Sequence, residues 1–506
     1  MTNTVKTIAI VGGGTAGWLT ASIIASHHKS ASNNSVNVIL IESSNIPTIG
    51  VGEGTWPTLK NTLQDIGLKE SDVFRKCHAA FKQGAKFTNW VHGNGDFYYH
   101  PFTVPLGYGR IDLAPYVNNI ENYAIESNFQ HHICEKGLAP RTFAEGEYQG
   151  TCNYAYHLDA SMLGEMLKEH CINKLNVTQI VDTVKSVTLS NDGSIKSVVL
   201  NEHNEVDADL FVDCTGASSL LLGKTLGVPF KPVDDVLFND SALAMQVPYE
   251  NDDDPVATHT IATAQNTGWI WDIGLTHRRG VGHVYSSKYI TDDEAENNLR
   301  TYLGKAGEGI SCRKISYKPG YHERFWEKNC VAVGMSAGFV EPLEATAIML
   351  VEISARYIAE NLPASKENML ITAKRFNSQM DYRWGRIIDF LKLHYMLTKR
   401  KEPYWQAHCD PKTIPESLKE DLAIWKYKGP TISDFQGANE LFPAASYQYV
   451  LYGMGFKPDF TVQQHLYQEH LQADRLIKRN EQLTEQMLQT LQPHRHFINQ
   501  WLSATK

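Results

Sequence analysis

The chain opens on an apolar run, Ile8-Ala-Ile-Val11, that meets a cluster of glycines and then a helical repeat from Leu19 to Ile24. A second apolar run, Val36 to Glu42, reads as the next strand. Helical spacing returns over Leu59–Ile66 and Ser71–Cys77. From Phe81 to Trp90 the period is two: Phe81, Gln83, Ala85 and Phe87 share one face, and Lys82 lies on the other. Asp96 to Arg110 is rich in aromatics, and 116–147 carries no clear period. Leu158, Met162, Met166 and Leu167 mark a helix over Leu158–His170. Strands are predicted at Val177–Ser190 and Ser194–Glu202, joined by the turn Asn191-Asp-Gly193, and at Asp209–Gly216. Residues 236–320 are β-rich, Asn329–Gly334 is another strand ending in glycine, and helices are expected over Ala345–Asn361, 365–400 and 461–490. No repeat, low-complexity run or linker interrupts this order, so segments from across the chain are expected to share one α/β body.

Composition narrows the classes. Of 506 residues, 42% are hydrophobic and 20% charged, as in ordinary globular proteins. The net charge of −9 and the shortness of basic runs such as Thr398-Lys-Arg-Lys401 argue against a nucleic-acid partner. The first strand begins by Thr7 and no stretch nears the ~18 apolar residues of a membrane span, so neither a targeting segment nor a membrane anchor is expected. Eight scattered cysteines without a CxxC pair fit free thiols in a cytoplasmic protein. His27-His28, His131-His132 and His494-x-His496 lack acids or cysteines at ligand spacing, so no metal site is expected.

The first chemistry-bearing motif is Gly12-Gly13-Gly14-Thr15-Ala16-Gly17, lying between strand and helix. Gly12 makes the tight turn, Gly14 lets backbone approach a pyrophosphate, and Gly17 lets the helix lie against the strand. Phosphates would sit at the helix N-terminus. Glu42, 25 residues past Gly17, is placed to bond ribose hydroxyls. A glycine-rich strap follows, Ile49-Gly-Val51-Gly52-Glu53-Gly-Thr55, whose backbone can run close to a ligand. There is one complete GxGxxG, and later strand-to-glycine passages end at Gly216 and Gly334. That arrangement favours FAD over NAD and calls for an outside electron source.

Taken in order, Gly12–Trp18, Gly50–Thr55, Phe81-Lys82, His100-Pro-Phe102, Trp269-x-Trp271 and Phe339-Val-Glu-Pro-Leu-Glu344-x-Thr346 resemble the flavin-dependent tryptophan halogenase family. The resemblance implies a split FAD-binding domain, Rossmann-like and of the hydroxybenzoate hydroxylase type. With it would come an interleaved β-rich substrate and halide region within 1–365 and a helical C-terminal part, 366–506, closing the substrate pocket. It also implies that FADH2 from a partner reductase, O2 and halide (chloride or bromide) give hypohalous acid, which reaches the substrate through a tunnel. Lys82 matches the lysine that guides or captures it, Glu344 the catalytic glutamate, and Thr346-Ala347 the backbone that holds halide. Trp269 and Trp271 match tryptophans near the flavin, and the resemblance also implies flavin contacts at Val181, Met335 and Ile348. The chemistry suits these residue types: an ammonium offers mobile donors to hypohalous acid, and a carboxylate can accept the proton released by electrophilic aromatic attack. Outside the resemblance, Glu344 reads as a first-turn helix acid and the tryptophans as a core pair.

This sequence departs from the family's motifs in three places: Ile273-Gly274 stands for Ile-Pro, Ala345 for serine and Ala347 for glycine. The family's aspartate-free third flavin motif is matched by Gly334-Met-Ser336. His100 and Phe102 match residues that stack the indole. The family's C-terminal tyrosine pair is split here into Tyr447 and Tyr449, and no acid lies between Ser446 and Gly455. With Tyr449 as the remaining contact, indole or an indole-containing compound is expected in preference to free tryptophan. A flavin monooxygenase and a non-catalytic flavin-binding protein are the alternatives. A monomer or a homodimer is expected.

Overall fold

The computed structural model describes residues 4–29, 36–44, 52–437 and 440–505. The chain divides into two compact units, each assembled from three segments. The division does not follow the expected boundary at 365: residues up to Trp384 count with the first unit and those from Gly385 with the second.

The first unit comprises Met1–Ala79, Leu158–Val233 and Tyr317–Trp384. Its centre is a sheet in the order Trp326–Glu327, Cys330–Ala332, Leu210–Asp213, Thr7–Val11, Asn37–Glu42, Thr178–Val181, parallel except at the first pair. Ile8, Ile10, Leu40, Leu210 and Val212 are wholly buried, as parallel strands covered on both faces must be. Helix Thr15–His27 lies against helices Ala160–Lys174 and Thr346–Glu360. Asp159 caps helix Ala160–Lys174 by accepting the Ser161 and Met162 N–H groups. The run predicted over Val177–Ser190 is two strands, Thr178–Val181 and Val184–Leu189. Between them Asp182 turns to accept the N–H groups of Glu202 and His203.

The second unit comprises Ala80–His157, Asp234–Ser316 and Gly385–Lys506. Strands Gly84–Thr88, Phe97–Pro101, Ser241–Pro248, Thr260–Ala264, Trp269–Gly274, Arg278–Tyr285 and Arg313–Ser316 form one sheet, antiparallel except where Gly84–Thr88 meets Thr260–Ala264. Helix Asp292–Leu303, absent from the sequence reading, covers this sheet by burying Ala295, Leu299 and Leu303 against Leu243, Met245 and Ile270. The strand predicted from Phe81 to Trp90 is also broken. Ala80–Lys82 pairs with Ala155–His157, and the chain turns at Gly84, whose φ is +150°. A Cβ there would lie 2.4 Å from the His100 carbonyl, so glycine is required. Of the expected 461–490 helix, only His470–Thr490 is α-helical. Among the described residues no helix is long and apolar enough to cross a membrane.

Candidate functional site

In the first unit the carboxyl ends of the parallel strands bring the glycine passages together, the place where such sheets take their ligands. The three motif glycines serve different ends. Gly12, at φ +119°, approaches the end of the neighbouring strand so closely that a Cβ would lie 2.2 Å from the Cys214 carbonyl. A Cβ on Gly17 would lie 1.9 Å from the Gly12 carbonyl, which is the contact that sets helix on strand. Gly14 has open space around it and sits at the helix N-cap with no side-chain cap. Its freedom faces outward, toward whatever the loop cradles. Gly13 is covered by Glu42, whose carboxylate is held by Lys168 at 2.8 Å and by the Trp18 indole N–H at 3.2 Å. Val181 ends the edge strand directly beside Glu42. Gly216 and Gly334 follow their strands with φ +65° and +76°, and a Cβ on Gly334 would press to 2.9 Å from Ala16. Val51 lies outside the described residues; Gly52 and Glu53 form the short strand Gly52–Gly54.

A cleft of about 190 Å³ gathers much of the predicted site. Thr15, Ala16 and Glu53 form one part of its wall, and Gly334 and Met335 another. Thr346, Ala347 and Ile348 supply the first turn of helix Thr346–Glu360, which no side chain caps. Its leading N–H groups have no intrahelical partner. The residues before it are unusual. Glu344 (φ 65°, ψ 3°) and Ala345 (φ 55°, ψ 45°) are consecutive left-handed non-glycine residues, at a cost of roughly 1–3 kcal/mol each. A left-handed residue followed by right-handed Thr346 turns successive N–H groups into one concavity, and a helix N-terminus adds positive potential. Glu344 is therefore not the plain first-turn acid of the sequence pattern; it lies buried in the strained turn ahead of the helix. A larger cavity of about 620 Å³ opens at the amino ends of the strands, beside Thr7, Asp209 and Lys366. We assign no chemistry to it, since it contains none of the motif residues.

The same helix carries a carboxyl that sequence reasoning missed. Glu352 is 3% exposed and accepts the hydroxyls of Thr58 (3.1 Å) and Thr62 (2.5 Å). Burial pushes its acid up to about 7, against the pull of those bonds and of Arg356. An acid among Ile348, Met349, Val351 and Ala355 was the available signal.

In the second unit Lys82 is 2% exposed, so it is not an ordinary outward strand lysine. Periodicity assigned it a face but could not say what covers that face. Its Nζ lies 5.2 Å from the centre of the Phe102 ring, close enough for cation–π attraction. Lys82 stands opposite Ala155 in the ladder, and His157 is two residues along on the same face. Burial first, then the Lys82 charge, hold His157 neutral, well below its ordinary value. The short strand is anchored by the Phe81 N–H donating to His494 Nε2 at 3.0 Å, with burial lowering His494 to about 4.

His100 Nε2 bonds Ser446 Oγ at 2.8 Å, and its ring meets Phe390 at 5.7 Å and Tyr449 at 6.3 Å. Tyr449 is spent internally: its hydroxyl donates to the Thr103 carbonyl at 3.0 Å and accepts from Asn128 at 2.7 Å. It shares the wall of a cavity of about 490 Å³ with Phe97, Tyr98 and Tyr99. Trp269 and Trp271 are buried on one face of their strand, Trp269 against Trp90 and Trp271 over Gly282. Among the described residues no group of three histidine, cysteine, aspartate or glutamate side chains could hold a metal ion.

Residues 7–468 match the family model described as tryptophan halogenase. The 7-chloro-L-tryptophan 6-halogenase KtzR of Kutzneria sp. (strain 744) is 35% identical over 472 residues, covering 88% of this chain and 90% of that protein. The tryptophan 7-halogenase RebH of Lentzea aerocolonigenes is 30% identical over 535 residues, covering 99% of each. The crystal structure of a tryptophan halogenase from Shewanella frigidimarina NCIMB 400 superposes with a TM-score of 0.94 at 42% identity, covering 99% of this chain and 98% of that one. These relatives lend no support to the expected preference for indole over free tryptophan.

Proposed function

The chain belongs to the tryptophan halogenase family, flavin-dependent enzymes that require a separate flavin reductase, and from that premise we propose that it halogenates the indole ring of tryptophan or a tryptophan-like substrate. FAD would be held by Gly12–Gly17, Glu42, Glu53, Gly334 and Met335, and as FADH2 with O2 it would supply the oxidising power that turns chloride or bromide into hypohalous acid. What carries this reading is one cleft in which the glycine loop and the uncapped start of helix Thr346–Glu360 face the same space.

The first N–H groups of that helix, at Thr346 and Ala347, would hold the halide. They need no side chain for this, so the change from glycine to Ala347 leaves the donors intact. Lys82 would meet hypohalous acid either as an ammonium that hydrogen-bonds it or as an amine. In the amine case an N–halogen bond forms, the O–halogen bond breaks and water leaves. Phe102 holds the nitrogen by cation–π contact, and neutral His157 adds no competing charge on that face. The Glu344 carboxylate would accept the ring proton released once the carbon–halogen bond has formed. His100, fixed by Ser446, would stack the indole with Phe102.

The test is a reaction of the purified protein with FAD, a flavin reductase, NADH and either halide, with tryptophan and indole supplied separately. Product mass bearing the halogen isotope pattern is expected with tryptophan. Hydroxylated product whose yield ignores halide would overturn the proposal.

A further inference from the structure

The strap motif ends in Thr55-Trp56-Pro57, and Trp56 makes a contact that neither the motif nor its spacing foretells. Its indole N–H donates to the main-chain carbonyl of Glu344 at 2.5 Å, 288 positions away. Both residues are 7% exposed. The carbonyl belongs to the first of the two consecutive left-handed residues, Glu344 and Ala345, that precede helix Thr346–Glu360. Such a turn persists only where its surroundings hold it.

The segment that follows Trp56 is fastened to the same helix. In helix Thr58–Asp65, the hydroxyls of Thr58 and Thr62 donate to Glu352. Arg356 donates to Thr62 Oγ1 and to Asp65, each at 3.1 Å. The strap's exit therefore meets the helix in two places: ahead of its first turn through Trp56, and further along through Glu352 and Arg356. The second attachment fixes the strap's exit, so the indole N–H is presented to the Glu344 carbonyl from a stationary base. The indole N–H is a donor only, which suits it to a carbonyl.

We propose that Trp56 is a positioning residue for Glu344: its N–H pins the strained turn, and thereby sets the direction of the Glu344 side chain and of the N–H groups that open the helix. The inference rests on Glu344 being the proton-accepting carboxylate. It assigns to the strap a part in the aromatic substitution as well as in holding the cofactor.

The test compares Trp56→Phe, which keeps a buried ring and deletes the donor, with Glu344→Gln and wild type. Steady-state halogenation is measured per bound flavin, with KM for tryptophan, flavin occupancy and melting temperature recorded alongside. Trp56→Phe is expected to lower kcat about tenfold, the order of one buried hydrogen bond, with KM and flavin occupancy near wild type. Trp56→His, which retains a ring N–H on a smaller body, is expected to fall between the two. Wild-type kcat in Trp56→Phe beside an inactive Glu344→Gln would overturn the positioning role and leave Glu344 catalytic. Loss of kcat only in proportion to lost flavin or lost fold, in both Trp56 variants, would overturn it too by making Trp56 merely structural. Full activity in Glu344→Gln would remove the reading beneath the inference and the inference with it.

Discussion

Gly14→Ala separates the folding duties of the glycine loop from its binding duty. Gly14 has φ −73° and ψ 179°, an extended conformation open to any residue, and a Cβ there meets no atom within 4 Å. In the fold, the change gains about 0.4–1 kcal/mol from the unfolded chain and loses a similar amount because alanine is a poor N-cap, so the net is within about 1 kcal/mol of zero. Gly17→Ala is different. Its Cβ would stand 1.9 Å from the Gly12 carbonyl, a backbone atom between a strand and a helix, and the overpacking should cost about 3 kcal/mol or more. Binding should reverse that order. A methyl on Gly14 occupies the approach to the helix N-terminus and displaces a phosphate from two N–H donors, worth together about 3 kcal/mol, or roughly a hundredfold in Kd. Thermal unfolding of the flavin-free proteins and a titration of FAD fluorescence quenching measure the two effects. Gly14→Ala should melt with wild type and bind about a hundredfold more weakly, whereas Gly17→Ala should melt far below it. Flavin affinity in Gly14→Ala within about threefold of wild type would refute the assignment of this loop as the phosphate cradle.

Two further outcomes follow from helix Thr346–Glu360 and the turn before it. The Glu352 carboxyl is raised from 4.5 to about 7, so the folded protein keeps a proton that the unfolded chain has lost between those values. Stability must then fall as pH rises through that window, by up to about 3 kcal/mol, and level off above it. Glu352→Gln should lack that decline in unfolding free energies measured at pH 5 and pH 8; parallel curves for variant and wild type would contradict it. Ala345→Gly should raise the unfolding free energy by about 0.5–1 kcal/mol, because glycine takes a left-handed conformation without the Cβ penalty. A lower melting temperature for that variant would mean the turn is not held as described.

Local motifs were legible where each residue's task is settled by its chain neighbours. The strand, the glycine loop and the helix from Thr7 to His27 fall where the pattern puts them, because turn, approach and packing there are short-range matters. The capping box Thr291–Glu294 was equally local and would have announced helix Asp292–Leu303, yet the β-rich surroundings hid it. What periodicity cannot carry is the identity of a distant partner. Gly84 breaks its strand because of the His100 backbone, Lys82 is buried by groups the alternation does not name, and Trp56 meets Glu344 from far along the chain. The left-handed turn at Glu344-Ala345 gave no sequence signal, since neither residue is glycine or asparagine. At Tyr449 the motif position gave no sign that its hydroxyl is bonded to Asn128 and Thr103, partners more than 300 residues away.

The central claim of the proposal is that the hypohalous acid made with FADH2 and O2 halogenates the indole only with the help of the buried Lys82 nitrogen. Lys82→Met keeps the length and apolar stem of the side chain and removes the nitrogen. The most direct measurement is the rate of halogenated tryptophan formation by wild type and Lys82→Met, with FADH2 consumption followed in the same reactions. The account predicts equal FADH2 consumption and at least a hundredfold less halogenated tryptophan from the variant, a barrier increase of about 2.7 kcal/mol. Halogenation by Lys82→Met at the wild-type rate would contradict it.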